Sequence, residues 1–162
     1  MIYMKEESLV GLLALVIAIL SLLVSLYYNR KDHERRRKQA TIEYFEDMTS
    51  KLYDVQAKFN TKLNQLNIEI EMLDTDMELL KDATEVLAAF ERLCVGVNTN
   101  IFDFDILERM AGSYLVMVYF RFAPYIEKIR KDASRTNSYI EFEQVAIRIK
   151  QRRESINRNG KI

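Results

Sequence analysis

Tryptophan is absent from these 162 residues, and histidine, cysteine and proline occur once each. Only four glycines are present. So few turn formers exclude a sheet-rich fold. The abundance of Leu, Ile, Glu, Lys, Arg and Ala points instead to an all-α chain. The lone Cys94 excludes an intramolecular disulfide, and its distance from His33 excludes a zinc site of the usual Cys/His type. Neither a G-x-x-x-x-G-K phosphate loop nor a G-x-G-x-x-G turn is present. A Ser-His-Asp arrangement would have to recruit His33, which sits among cations outside the expected core. The carboxylate pairs Asp103/Asp105 and Glu69/Glu71 read as helix starts and solvated faces. Glu91, Arg109, Arg121, Glu127 and Arg130 read as an interhelical polar network of structural character. No catalytic residue, no cofactor and no metal is therefore expected, and the chain reads as a non-enzyme.

Charge is missing altogether from Leu9 to Tyr28, LVGLLALVIAILSLLVSLYY. As a helix this run covers about 30 Å, the hydrocarbon thickness of a bilayer. Tyr27 and Tyr28 close it where aromatic rings favour the headgroup layer. A cleaved signal would have a more basic start and a shorter apolar core than MIYMKEES and the run after it, so a retained anchor is expected. Arg30, Lys31, Arg35, Arg36, Arg37 and Lys38 follow, against Lys5 alone before the span. The positive-inside rule then places the N-terminus outside and the rest in the cytoplasm. These six cations either set topology alone or also bind anionic headgroups of the inner leaflet. Gly11, Ala14, Ala18, Ser21 and Ser25 step by three, four, three and four, a seam of small residues suited to self-association of the anchor.

Overall charge balances at 24 basic against 24 acidic residues, but its distribution is uneven. Residues 43–108 carry fifteen acids and five bases, a net of −10. Residues 30–38 carry +4 and residues 145–162 carry +5. The expected organisation is an extracytoplasmic segment at 1–8, a transmembrane helix at 9–28 and a basic juxtamembrane segment at 29–40. A cytosolic helical domain at 41–156 and a basic tail at 157–162 follow. The domain is long enough for its own core.

Within it, Phe45, Met48, Leu52, Val55 and Phe59 keep coiled-coil spacing, as do Leu63, Leu66, Ile70, Leu73, Met77 and Leu80, with a stutter between the two sets. The region from 42 to 80 is either one long helix, in a parallel coiled coil, or a hairpin folded on its own domain. A helix to about Asn60, with more helix beyond, is favoured. Thr75 with Glu78 makes a capping-box pattern. Asp76 to Val97 reads as a central buried helix carrying Cys94 as a core residue. Asn98 to Asn100 form a turn, and Asp103 caps a short helix ending at Gly112. Ser113 opens the next helix, kinked at Pro124. Ser138 with Glu141 caps a last helix burying Phe142, Val145, Ala146 and Ile149, whose end frays around Gly160.

The stretches FERLCVGVNTNIFDFDILERMAG (90–112) and RFAPYIEKIRKDASRTNSYIEFEQVA (121–146) resemble the bacterial and phage family known as domain of unknown function 4760. The resemblance rests on Phe90–Glu91, Asp103, Asp105, Gly112, Pro124, Ile126, Arg130, Tyr139 and Phe142–Glu143 in order. It covers roughly Val86 to Ala146, and the 42–80 region departs from the pattern. The resemblance implies one N-terminal membrane helix with a basic flank, a helical cytosolic domain and a bacterial or phage source. It implies no assigned reaction.

The expected function is that of a single-pass, membrane-anchored helical interaction module at the cytoplasmic face of the inner membrane. Its expected partners are the bilayer and its anionic headgroups, a second copy of the chain and an unidentified protein. By analogy with phage-associated proteins, a role in phage–host conflict is expected, as in superinfection exclusion or defence. The alternatives are an oligomerising effector that perturbs the bilayer and a spanin-like lysis protein of opposite topology. Nucleic acid is disfavoured, because the tail RIKQRRESINRNGKI has no aromatic residue on which a base could stack.

Overall fold

A computed structural model describes residues 3–66 and 69–159. In order they form α1 (Tyr3–Leu66), a 3-10 helix (Ile70–Thr75), α2 (Met77–Asn98), α3 (Phe104–Arg130) and α4 (Ile140–Asn159), with no strand among them. The all-α expectation holds. The chain divides into two compact units, Met1–Arg36 and Arg37–Ile162.

The first unit contains the uncharged run. Residues 10–28 are all exposed, and within this stretch a window of mean hydropathy 2.7 buries nothing. It is a helix long and apolar enough to cross a membrane. The rings of Tyr27 and Tyr28 meet edge to face at 5.8 Å.

The second unit is a helical domain with one core. Met48, Leu52, Phe59 and Leu63 of α1 are buried in it. The first part of the heptad-like stripe thus packs on its own domain, whereas Leu66 and Met77, expected to continue it, are exposed. The two steps of four around Phe59 keep the buried residues on one face, because four residues slightly exceed a turn of 3.6. The expected break near Asn60 does not occur: Thr61 donates to the Ala57 carbonyl inside the helix at 2.9 Å. α1 ends at Leu66, and the 3-10 helix then sends Leu73 into the core with no exposed surface. Lys62 ties the two arms together, donating to Asp76 at 2.9 Å and to Glu78 at 2.6 Å. The Thr75/Glu78 capping box does not form. Asp76 is the N-cap, accepting from the amides of Glu78 and Leu79, while Thr75 donates back to the Met72 carbonyl.

α2 is the central helix, as expected, with Leu79, Ala83, Leu87, Phe90, Leu93 and Cys94 fully buried. Burial, aided by Glu91 and Glu141, pushes the Cys94 thiol well above its ordinary range. Phe90 stacks on Phe142 of α4 at 5.1 Å, and Tyr119 of α3 meets Phe142 edge-on at 5.5 Å. After α2 the chain reverses through Asn100, whose φ is 60°. The reversal lays Phe102 against Gly96, where an added Cβ would stand 2.2 Å from the ring. The Phe102 ring also meets that of Tyr44 of α1 at 4.8 Å between centroids.

α3 corrects the sequence reading. It runs unbroken through Gly112, Ser113 and Pro124, so Gly112 does not end a helix. Arg153 crosses the helix there: a Cβ would lie 2.6 Å from Nη2 of Arg153 and 3.2 Å from Cγ2 of Ile149. Glycine costs a helix interior about 1 kcal/mol. The crossing offsets this, since Arg153 donates to the Glu108 carbonyl at 3.0 Å and to the Ser113 hydroxyl. α4 buries Phe142, Val145, Ala146 and Ile149 completely, as expected. Gly160, where the tail was expected to fray, lies outside the described residues.

Gly96→Ala is expected to lower unfolding stability by about 1–3 kcal/mol through overpacking against Phe102. The measurement is the urea midpoint at unchanged slope. A midpoint equal to wild type would mean the ring moves aside freely.

Candidate functional site

Six cations were expected at the membrane surface. Arg30, Lys31, Arg35, Arg36 and Lys38 are exposed. Lys31 lies 5.9 Å above the Tyr27 ring, and Arg36 pairs with Asp32 at 2.7 Å. Arg37 differs. It donates to Asp103 at 2.9 Å, with its own side chain 35% exposed and that of Asp103 only 5%. Arg37 therefore works as a domain residue. Thr41, one turn later and fully buried, donates to the Arg37 carbonyl at 2.8 Å and accepts from the Asp103 amide at 2.7 Å. Asp103 in turn caps α3 through the Ile106 amide at 3.1 Å. Burial disfavours its charge, but Arg37, the Ile106 amide and nearby Lys38 outweigh this and hold its carboxyl below the usual range. In a run of eleven polar residues from Asn29 to Gln39, sequence spacing alone does not single out Arg37. The available signal was its i,i+4 relation to Thr41, where the core begins.

The seam residues Gly11, Ala14, Ala18, Ser21 and Ser25 are all exposed, and nothing lies within 4 Å of a Cβ built on Gly11.

The expected five-residue polar network separates. Arg109 and Glu127 are exposed, and Arg121 bonds Asn60 of α1 at 2.8 Å. Glu91 and Arg130 lie at the junction of α2, α3 and α4. Glu91 accepts from the amides of Phe142 at 2.8 Å and Glu141 at 3.3 Å, capping α4 from another helix. This replaces the expected Ser138 cap. Burial, the largest influence, lifts the Glu91 carboxyl above its ordinary range, while those two amides pull it down. Arg130 donates to Glu143 at 2.6 Å and to the Ser138 carbonyl at 2.9 Å. Tyr119 is pushed up to about 12 by burial and by its bond to Glu143. The junction braces α2, α3 and α4.

The basic end of α4 is largely engaged. Arg152 pairs with Asp105 at 2.5 Å and Glu108 at 3.1 Å, and Arg148 lies 3.8 Å over the Phe104 ring. Among the described residues no three His, Cys, Asp or Glu side chains come together as a metal cluster. The outer face of α2 is open. Met77 is 77% exposed there, and a groove of about 430 Å³ runs from it past Leu80, Thr84 and Ala88 to Arg92.

The family model described as Domain of unknown function (DUF4760) matches residues 9–149. The chain belongs to the DUF4760 family. The match is wider than the resemblance first seen in residues 86–146. It starts within the apolar run, takes in the 42–80 region and reaches Ile149, the last core residue of α4. No curated protein and no solved structure matches the chain.

Glu91→Ala leaves two α4 amides without an acceptor and is expected to cost about 1–2 kcal/mol, in line with other lost caps. Hydrogen exchange should quicken at Glu141 and Phe142 first, and Glu91→Gln should recover part of the loss. For Asp103 the sign follows from its lowered folded value. Its contribution is complete above the ordinary aspartate range, near pH 4, and is lost as pH falls through the folded value. Asp103→Asn should therefore be less stable than wild type at pH 7, with the gap closing on acidification. A constant gap between pH 7 and pH 2 would contradict the assignment.

Proposed function

We propose that this DUF4760 chain is a single-pass, membrane-anchored interaction module whose helical domain works at the cytoplasmic face. The observation that carries the reading is the uncharged helical stretch at 10–28, with every side chain exposed. Water is a poor solvent for so much uncovered apolar surface. At about 25 cal/mol per Å² the transfer to lipid is strongly favourable, and a helix enters with its backbone bonds already made. The exposed cations Arg30, Lys31, Arg35, Arg36 and Lys38 suit anionic headgroups and an inward orientation. The open α2 face is a surface on which a partner protein can dock. Avidity from the small-residue seam would strengthen such docking.

A second reading, an oligomerising effector that perturbs the bilayer, is favoured by the exposed seam alone. The span has no Asp, Glu, Lys or Arg to line a pore, which counts against it. A role in phage–host conflict rests on analogy and adds nothing to the chemistry.

The full chain is expected to stay with the membrane fraction through high salt and alkaline carbonate. Leu15→Lys with Ile19→Lys should release it, each lysine costing about 2.5–3.5 kcal/mol at mid-span. A reporter fused after Ile162 should be active only in the cytoplasm. Activity only outside would establish the spanin-like topology instead, and a soluble wild-type chain would remove the anchor altogether. Unchanged membrane potential at high expression would set aside the effector reading.

A further inference from the structure

Between α1, α2 and α3, wholly within residues 37–162, lies a cavity of about 90 Å³. Phe59, Val86, Val118 and Phe122 form its apolar floor, all of them at least nine-tenths buried. Its mouth has a different chemistry. The Tyr114 hydroxyl donates to Oε1 of Gln56, and Nη1 of Arg121 donates to Oδ1 of Asn60 at 2.8 Å. Both amide oxygens are thereby engaged. Each keeps one lone pair, and the mouth's uncommitted donors are the two amide NH₂ groups and the remainder of the guanidinium. Arg121 also lies 5.8 Å from the Phe59 ring centroid. Among the described residues no carboxylate pairs with it, although the residues from 43 to 108 carry a net of −10. A cation without a counter-ion, flanked by donors and set above an apolar floor, matches one ligand chemistry: an anionic head with a short apolar tail.

The size narrows the class. A water takes about 30 Å³ of liquid volume, so the cavity admits a chain of about three or four carbons. Water itself finds few partners on four apolar side chains, and a water needs two to four. A planar carboxylate fits the fork of an arginine better than a spherical anion does.

We propose that this cavity binds a short-chain carboxylate, its tail among Phe59, Val86, Val118 and Phe122 and its head on Arg121, Asn60 and Gln56. The site is independent of where the protein resides, so the membrane reading and this one stand or fall separately.

The test uses the full chain in phosphatidylcholine nanodiscs, methyl-labelled at Val and Met, titrated with butyrate. Saturable shifts are expected at Val86, Val118 and Met117. Butan-1-ol should bind about tenfold more weakly, a loss of about 1.4 kcal/mol, and butylammonium and inorganic phosphate should give no saturable shift there. Arg121→Gln should lower butyrate affinity about tenfold and erase its advantage over butan-1-ol. Val118→Phe should fill the floor and abolish binding. If that variant fails to fold, Arg121→Gln decides alone, because Arg121 is exposed. The proposal is overturned if butyrate gives no saturable shift at these methyls, if butan-1-ol or phosphate binds as well, or if Arg121→Gln binds like wild type.

Discussion

The helical domain depends on acidic side chains that satisfy helix starts, two of them tied to distant parts of the chain. The first amides of any helix lack an acceptor inside it and carry a partial positive charge. Here Asp76 supplies α2 and is itself held by Lys62 from α1. Asp103 supplies α3 and is gripped by Arg37 and Thr41. Glu91 supplies α4 from the middle of α2. Each bond does local work at a helix end and also fixes the position of one element against another. The apolar core excludes water, but apolar contacts are non-directional. These bonds have direction, and they fix the register in which the helices pack.

That division explains what was legible in the sequence. Periodicity marks burial, so α2, the core face of α4 and the stripe Met48, Leu52, Phe59 and Leu63 could be read directly. Asp103 could be read because a cap next to its own helix is a local pattern. Glu91 could not be read as the α4 cap, because 50 residues separate it from Glu141 and nothing local marks the pairing. Ser138 offered a familiar pattern, and the distant carboxylate took its place. Gly112 was misread for a similar reason. Helix-ending and close-packed glycines look alike until the crossing side chain, Arg153, is seen. Gln56, Asn60, Tyr114 and Arg121 could not be joined from the sequence, since they come from two helices and no spacing rule links them.

Formal charge was a partial guide. The tail has a net of +5 in sequence, yet Arg152 and Arg153 spend their charge on Asp105, Glu108 and Ser113. The +4 run after the apolar stretch has the opposite character, with Arg37 alone drawn into the domain. Two basic clusters of similar count thus differ in what they can offer a partner. One is a brace between helices, and the other is a nearly free collar of cations.

Phe142 carries a consequence for biogenesis. It is fully buried, stacked on Phe90 and met edge-on by Tyr119, and it belongs to α4. Translation delivers it after every other helix has been made. Until α4 leaves the ribosome, the aromatic centre of the domain has no lid, and Glu91 has no amides to hold. The nascent chain must pass through an interval with its hydrophobic centre open, when incomplete domains are prone to aggregate.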